Sequence, residues 1–227
     1  MFQRLATTVI AITLSTTTVN AHETGDILIR AGIATVKPTD VSSTDIIVPG
    51  IPSSNITKIS SATRPAISFT YMFTDNVGVE GLLGLPFEHD IGISGGANLA
   101  GIYNLGSTKS LPETITLQYY PMSIDSNIQP YIGIGLNYTI FFDSETSSQL
   151  NESPVGESKL DVDNSFALAG QVGIDYSIDE NLFLNIALWY IDLETDAKLK
   201  TTNAGNIDIN SVKVNPFAMM LAIGYRF

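Results

Sequence analysis

Phe217-Ala218-Met219-Met220-Leu221-Ala222-Ile223-Gly224-Tyr225-Arg226-Phe227 closes the chain, and its reading decides the fold. Phe217, Met219, Leu221, Ile223, Tyr225 and Phe227 take every second position, while Pro216, Ala218, Met220, Ala222, Gly224 and Arg226 fill the places between. Side chains of a β-strand point alternately to its two faces, so this is a strand with one large apolar face and one face of mostly small residues. A helical period would scatter both sets. The same alternation sets Ile67, Phe69, Tyr71 and Phe73 against Ala66, Ser68, Thr70 and Met72. It returns where Ile132, Ile134, Leu136, Tyr138, Ile140 and Phe142 alternate with Tyr131, Gly133, Gly135, Asn137, Thr139 and Phe141.

Extended along the chain, the pattern predicts eight strands near 26–36, 65–73, 77–88, 112–121, 129–143, 164–178, 182–196 and 208–227. The connections between them alternate in length. Segments 37–64, 89–111, 144–163 and 197–207 are long, whereas Thr74-Asp75-Asn76, 122–128 and Asp179-Glu180-Asn181 are tight turns. Long loops at one end, with tight turns and both termini at the other, is the plan of an antiparallel outer-membrane β-barrel. The last predicted strand exceeds the roughly 9–11 residues that cross a bilayer, so part of the wall is expected to project beyond it.

Composition says which side of the barrel is apolar. Of 227 residues, 44% are hydrophobic and only 15% charged, and the mean hydropathy is +0.19. A soluble barrel keeps its large residues inside and needs a charged exterior, which this chain cannot supply. No apolar run approaches the roughly 20 residues of a membrane helix. With 11 Lys and Arg against 23 Asp and Glu, the formal charge of −12 excludes nucleic acid as a partner, because phosphate binding needs clustered cations. The absence of Cys excludes disulfides, thiolate nucleophiles and Cys-based metal sites. Neither a His-x-x-x-His pair nor a calcium-loop carboxylate spacing is present, so no metal and no cofactor is expected.

Residues 1–21 read as a cleaved signal peptide, with Arg4 as its positive start, Leu5 to Leu14 as its apolar core and Val19-Asn20-Ala21 as its cleavage site. Residues 22–227 are then a single barrel domain.

Parity sorts the interior. On strand three, Val77, Val79, Gly81, Leu83, Leu85 and Phe87 are outward, which turns Gly78, Glu80, Leu82, Gly84 and Pro86 inward. On strand seven, Asn185, Ala187, Trp189 and Ile191 face inward. Arg30, Glu80, Gln118, Gln171, Asp175 and Arg226 are polar lumen candidates, expected to form a hydrogen-bond and ion-pair network near the tight-turn end, since a buried charge must be paired. Eight strands enclose a space that side chains can fill, which excludes a wide aqueous pore. His89 is expected to be solvated at a loop base, and Gly92 to Gly101 to be a flexible loop. Pro86, Gly133 and Gly135 are expected weak points in the wall, since Pro lacks a ladder donor and Gly packs nothing.

A family resemblance runs through the mature chain. Its residues are Arg30-Ala31-Gly32 with Ala34-Thr35-Val36-Lys37-Pro38-Thr39, Phe69-Thr70-Tyr71-Met72 running into Thr74-Asp75-Asn76-Val77-Gly78-Val79-Glu80, and Leu85-Pro86-Phe87-Glu88-His89. They continue through Leu111-Pro112, Pro130-Tyr131-Ile132-Gly133, Gly135-Leu136-Asn137-Tyr138-Thr139, Phe141-Phe142-Asp143, Gly170-Gln171-Val172-Gly173-Ile174-Asp175-Tyr176, Trp189-Tyr190-Ile191-Asp192 and Gly224-Tyr225-Arg226-Phe227. In these the chain resembles the outer membrane protein W family of Gram-negative bacteria.

The resemblance implies an eight-stranded barrel in outer-membrane lipid, both termini periplasmic, with a narrow hydrophobic lumen for passage of small hydrophobic solutes. It also implies stress adaptation, and phages or colicins as ligands of the exposed loops. Leu82 and Trp189 match positions that narrow the family's channel, and the alternative is that they merely plug a small barrel. Phe227 resembles the terminal aromatic read by the outer-membrane assembly machinery. The expected function is a passive channel for hydrophobic molecules, with sideways exit into the bilayer as one route. The alternative is a structural or interaction barrel with a filled lumen. Enzymatic lipid modification lacks its residues: His22 lies at the mature terminus, and His89, followed by Asp90 and Ile91, has no placed nucleophile.

Overall fold

The computed structural model describes residues 22–48, 51–99 and 101–227; the signal-peptide reading of 1–21 lies outside the described residues. The strands in chain order are β1 (Ile27–Lys37), β2 (Ile46–Val48), β3 (Ile51–Ile59), β4 (Ala62–Thr74), β5 (Val77–Gly84), β6 (Phe87–Gly95), β7 (Asn104–Tyr119) and β8 (Ile128–Thr146). They continue with β9 (Ser158–Val162), β10 (Ser165–Ser177), β11 (Leu182–Ile191), β12 (Glu194–Thr201), β13 (Gly205–Lys213) and β14 (Phe217–Arg226). Two single-turn helices, α1 (Gly96–Leu99) and α2 (Ser148–Asn151), lie between them.

Eight strands close a barrel. β1 pairs with β4, β4 with β5, β5 with β7, β7 with β8, β8 with β10, β10 with β11, β11 with β14 and β14 back with β1, every pair antiparallel. Closure leaves the sheet no free edge, as a backbone in hydrocarbon requires.

The large face of each wall strand is outside. Ile132, Ile134, Leu136, Leu184, Ile186, Leu221 and Ile223 are all exposed, while Ala167, Ala187, Ala218, Ala222 and Met220 are buried within. Tyr71, Phe73, Tyr119, Tyr176, Tyr225 and Phe227 ring the turn end, and the cross-strand neighbours Tyr138 with Phe166 and Tyr190 with Phe217 stand toward the loop end. At a rise near 3.4 Å per residue and a tilt near 40°, Phe217 to Phe227 spans about 25 Å, the height of an outer-membrane apolar band.

Four expectations need correction. The strand predicted over 208–227 is two strands, because Asn215 takes a left-handed φ of 34° and Pro216 has no donor for the ladder. The strand predicted over 77–88 also breaks: β5 ends at Gly84 and β6 begins at Phe87. The strand predicted over 182–196 divides as well, β11 ending at Ile191 and β12 beginning at Glu194. Fourth, the four long connections are largely ordered. β6 pairs with the Asn104–Ser110 part of β7, β3 pairs with β6, and β12 lies between β9 and β13, so the wall continues beyond the apolar band. Of the segment Gly92 to Gly101, expected to be a flexible loop, the described residues through Leu99 run as the end of β6 followed by α1.

The interior accordingly holds two apolar clusters. One, inside the barrel, gathers Leu28, Met72, Tyr120, Tyr131, Phe183, Trp189 and Met220; the other, in the projecting part, gathers Ile56, Ile91, Leu105, Leu150, Leu160, Leu199 and Ile209.

Candidate functional site

At the turn end the lumen is filled by a bonded polar layer centred on Arg30, which is fully buried. β1 aims its guanidinium across the barrel. Nη2 donates to Asp175 Oδ2 on β10 at 2.7 Å, Nη1 donates to Thr70 Oγ1 at 2.6 Å, and Nη1 also lies 3.2 Å from Glu80 Oε2 on β5. Two carboxylates flank one guanidinium, and hydrogen bonds meet the remaining oxygens. Gln171 Nε2 donates to Glu80 Oε1 at 2.8 Å, Ser68 Oγ donates to Glu80 Oε2 at 3.0 Å, and Asn185 Nδ2 donates to Asp175 Oδ1 at 2.7 Å. Gln118 Nε2 donates to Gln171 Oε1 at 3.0 Å, and Tyr120 OH bridges Arg30 to Gln118. The rings of Tyr131 and Phe183 lie 5.5 and 5.4 Å from the guanidinium carbon, within cation–π range.

Two inward glycines make room for those rings. A Cβ on Gly173 would sit 2.3 Å from the Tyr131 ring, and one on Gly224 would sit 2.1 Å from the Phe183 ring. His22 completes the layer from below, its Nε2 donating to Asp175 Oδ2 at 2.9 Å and its ring set edgewise against Tyr120 and Phe183.

Above this layer the character reverses. A chamber open to solvent extends into the projecting wall between such residues as Val36, Leu82, Phe87, Phe141, Leu160, Trp189 and Val212. None of its lining residues is Lys, Arg, Asp or Glu. Leu82 from β5 and Trp189 from β11 both line it, Trp189 is 1% exposed, and the partly buried Leu82 packs on the same cluster.

The chamber adjoins a break in the wall. β5 is paired to β7 as far as Leu82 with Thr114, and pairing resumes only at Phe87 with Ser110 on β6, so Leu83 to Pro86 face Leu111 to Glu113 without ladder pairs. Pro86 and Pro112, neither with an N–H, sit in this interval, and Leu82, Gly84, Phe87, Ser110 and Pro112 around it line the chamber.

Of the residues marked by parity, Arg30, Glu80, Gln118, Gln171 and Asp175 meet in one network. Arg226 stands apart at the rim, 3.8 Å from Asp26 and donating to the Glu180 carbonyl. It is the last residue of β14 and so has the inward parity without the depth. Phe87, expected to face outward, is 2% exposed, and His89, expected to be solvated, is 5% exposed. The break at Pro86 shifts the alternation by one residue, and such a slip moves every following side chain to the other face. Glu88 and Asp90 are exposed in their place. Tyr120, Thr70 and Ser68 share the inward parity of their strands and could have been read the same way, and Asn185, read as inward, joins the network. His22 precedes β1 and carries no periodicity that would mark it.

The sequence profile of the OmpW family matches residues 23–227. The chain belongs to the OmpW family. It is 38% identical to outer membrane protein W of Vibrio cholerae over 227 residues, covering 100% of both chains. It is 37% identical to outer membrane protein W of Escherichia coli K12 over 91% of each chain. The crystal structure of outer membrane protein OprG from Pseudomonas aeruginosa matches with a TM-score of 0.80 at 37% identity, covering 91% of this chain and 98% of that one. As an OmpW-family barrel the protein is a non-enzymatic component of the outer membrane, its apolar band covered by lipid.

Proposed function

We propose that this OmpW-family barrel passes small hydrophobic molecules from the outside into the outer membrane itself. A solute enters the chamber from the loop end, which faces the exterior, while both termini face the periplasm. Leu82 and Trp189 narrow the way, and solute contact with their apolar surface favours it over ions and water. The observation that carries the reading is that the chamber has a charged, hydrogen-bonded floor and a broken side. An apolar molecule gains nothing by crossing the Arg30 layer, whereas the interval between Leu83–Pro86 and Leu111–Glu113 opens sideways, level with Tyr138 at the loop-end edge of the apolar band.

A disulfide across that interval tests the route. The chain has no Cys of its own, so Leu83→Cys with Glu113→Cys, adjacent if the Leu82–Thr114 register continued, adds a single pair. Oxidised protein in proteoliposomes should take up naphthalene at least fivefold more slowly than reduced protein, with uptake restored by reduction. Equal uptake in both states of a fully cross-linked barrel rejects sideways exit.

The filled turn end favours a second reading, a barrel that transports nothing and presents its projecting strands to partners such as phages or colicins. It predicts naphthalene uptake no faster than in protein-free liposomes, whatever the redox state.

A further inference from the structure

His89 is a polar group in the apolar chamber with no role in what precedes. β6 carries it inward, where it lines the chamber stacked on Phe87 with ring centroids 6.5 Å apart. Its Nδ1 lies 2.6 Å from the Ser60 carbonyl oxygen. A carbonyl only accepts, so Nδ1 carries the proton, and the neutral imidazole presents a lone pair at Nε2. Glu88 and Asp90 on the outward side of β6 place this stretch beyond the lipid, and burial moves the imidazole below its usual pKa, which keeps it neutral. Among the described residues none bonds Nε2.

The other polar lining groups differ in kind: the Trp189 Nε1–H is buried without a partner but can only donate, and the Ser110 hydroxyl can both donate and accept. Thr139 donates to Asn137 Oδ1, Thr195 donates to the Asp163 carbonyl, and Thr108 pairs with Ser144. With no charged lining residue, a carboxylate or ammonium would lie there unpaired. The lone pair at Nε2 in this uncharged lining favours a neutral molecule that brings a donor.

We propose that His89 is a specificity site, and that the chamber selects apolar molecules bearing a single hydroxyl, whose O–H donates to Nε2. As a substrate preference this rests on the channel reading; as a binding site it stands without it. Without His89 the hydroxyl would be stripped of water and left unpaired, so an ether of the same shape would be preferred.

The test uses the full barrel in lipid nanodiscs with 2-naphthol, 2-methoxynaphthalene and naphthalene as probes. His89→Phe keeps the stacking surface and removes the acceptor. The ratio of the 2-methoxynaphthalene Kd to the 2-naphthol Kd should fall about tenfold from wild type to His89→Phe, and the naphthalene Kd should change by less than about twofold. His89→Gln, whose amide oxygen still accepts, should retain part of the preference. An unchanged ratio in folded His89→Phe overturns the proposal. If that variant does not fold, wild-type protein decides: the His89 Nε2 nitrogen resonance must shift with 2-naphthol and not with 2-methoxynaphthalene, and equal responses overturn the site. Naphthalene flux into proteoliposomes separates the two readings. Hydroxyl preference without flux refutes the channel and keeps the site; flux with no preference does the reverse.

Discussion

The two ends of the lumen are built from opposite chemistry on the same strands. β5 contributes Glu80 to the polar layer and Leu82 to the chamber, two residues apart on one face; β10 contributes Asp175 and Gln171 below, then Ala169 and Ala167 above. A transmembrane barrel shows lipid the same apolar exterior along its height, so stability leaves the interior free to differ from level to level. At the turn end ion pairs close the space. At the loop end apolar side chains leave it partly empty.

Breaking the polar layer should have the largest effect. Arg30→Met leaves Asp175 and Glu80 buried without their cation, and loss of one partner of such a group costs about 3–5 kcal/mol. Urea unfolding in detergent should show it, and adding Asp175→Asn and Glu80→Gln should recover part of the loss. A cost below about 1 kcal/mol would mean that water reaches the layer and that it is no seal.

The chamber should respond in function before stability. Leu82→Ser with Trp189→Ala widens an existing space, and naphthalene uptake in proteoliposomes should change severalfold. Single-channel conductance should stay at its wild-type level, because the Arg30 layer, the proposed ion barrier, is left intact by both substitutions. A large rise in conductance would place the ion barrier at Leu82 and Trp189 and undo the distinction between the two ends.

A matched pair of serines gives the smallest and sharpest contrast. Ser68→Ala removes a donor to the Glu80 carboxylate and should cost about 1.5–3 kcal/mol, typical of a hydrogen bond to a charged group. Ser110→Ala, in the chamber wall, should cost less than about 0.5 kcal/mol. Equal costs in denaturant melts would show that both levels share one polarity.

The barrel was legible because its exterior obeys a strict two-residue period, visible in Phe217 to Phe227 without any knowledge of partners. Parity also puts Arg30, Glu80, Gln118, Gln171 and Asp175 on the inner face, although which bonds to which depends on strand register. The projecting strands were not legible. Their alternation, as at Ile91 with Ile93 or Leu199 with Ile207 and Ile209, is short, set among Ser, Thr, Asn and Lys, and interrupted by register shifts. His89 was misplaced for a related reason: Pro86 reverses inside and outside, and a slip of one residue appears only once β6 is seen paired with β7.

The joint between β1 and β14 has a bearing on the order in which the barrel forms. It sets Leu28 beside Arg226, near the two ends of the described chain, whereas the other seven wall pairings join wall strands that are consecutive along the chain. Joining the chain ends first would close a very long loop, and the entropy cost of closure grows with loop length. Made last, the joint links edges that the other pairings have already drawn together. It also demands the tightest fit, since a Cβ on Gly32 would lie 2.0 Å from the Leu221 carbonyl oxygen. Until β14 arrives the growing sheet keeps two raw edges, so the final ten-residue strand turns an aggregation-prone ribbon into a finished cylinder.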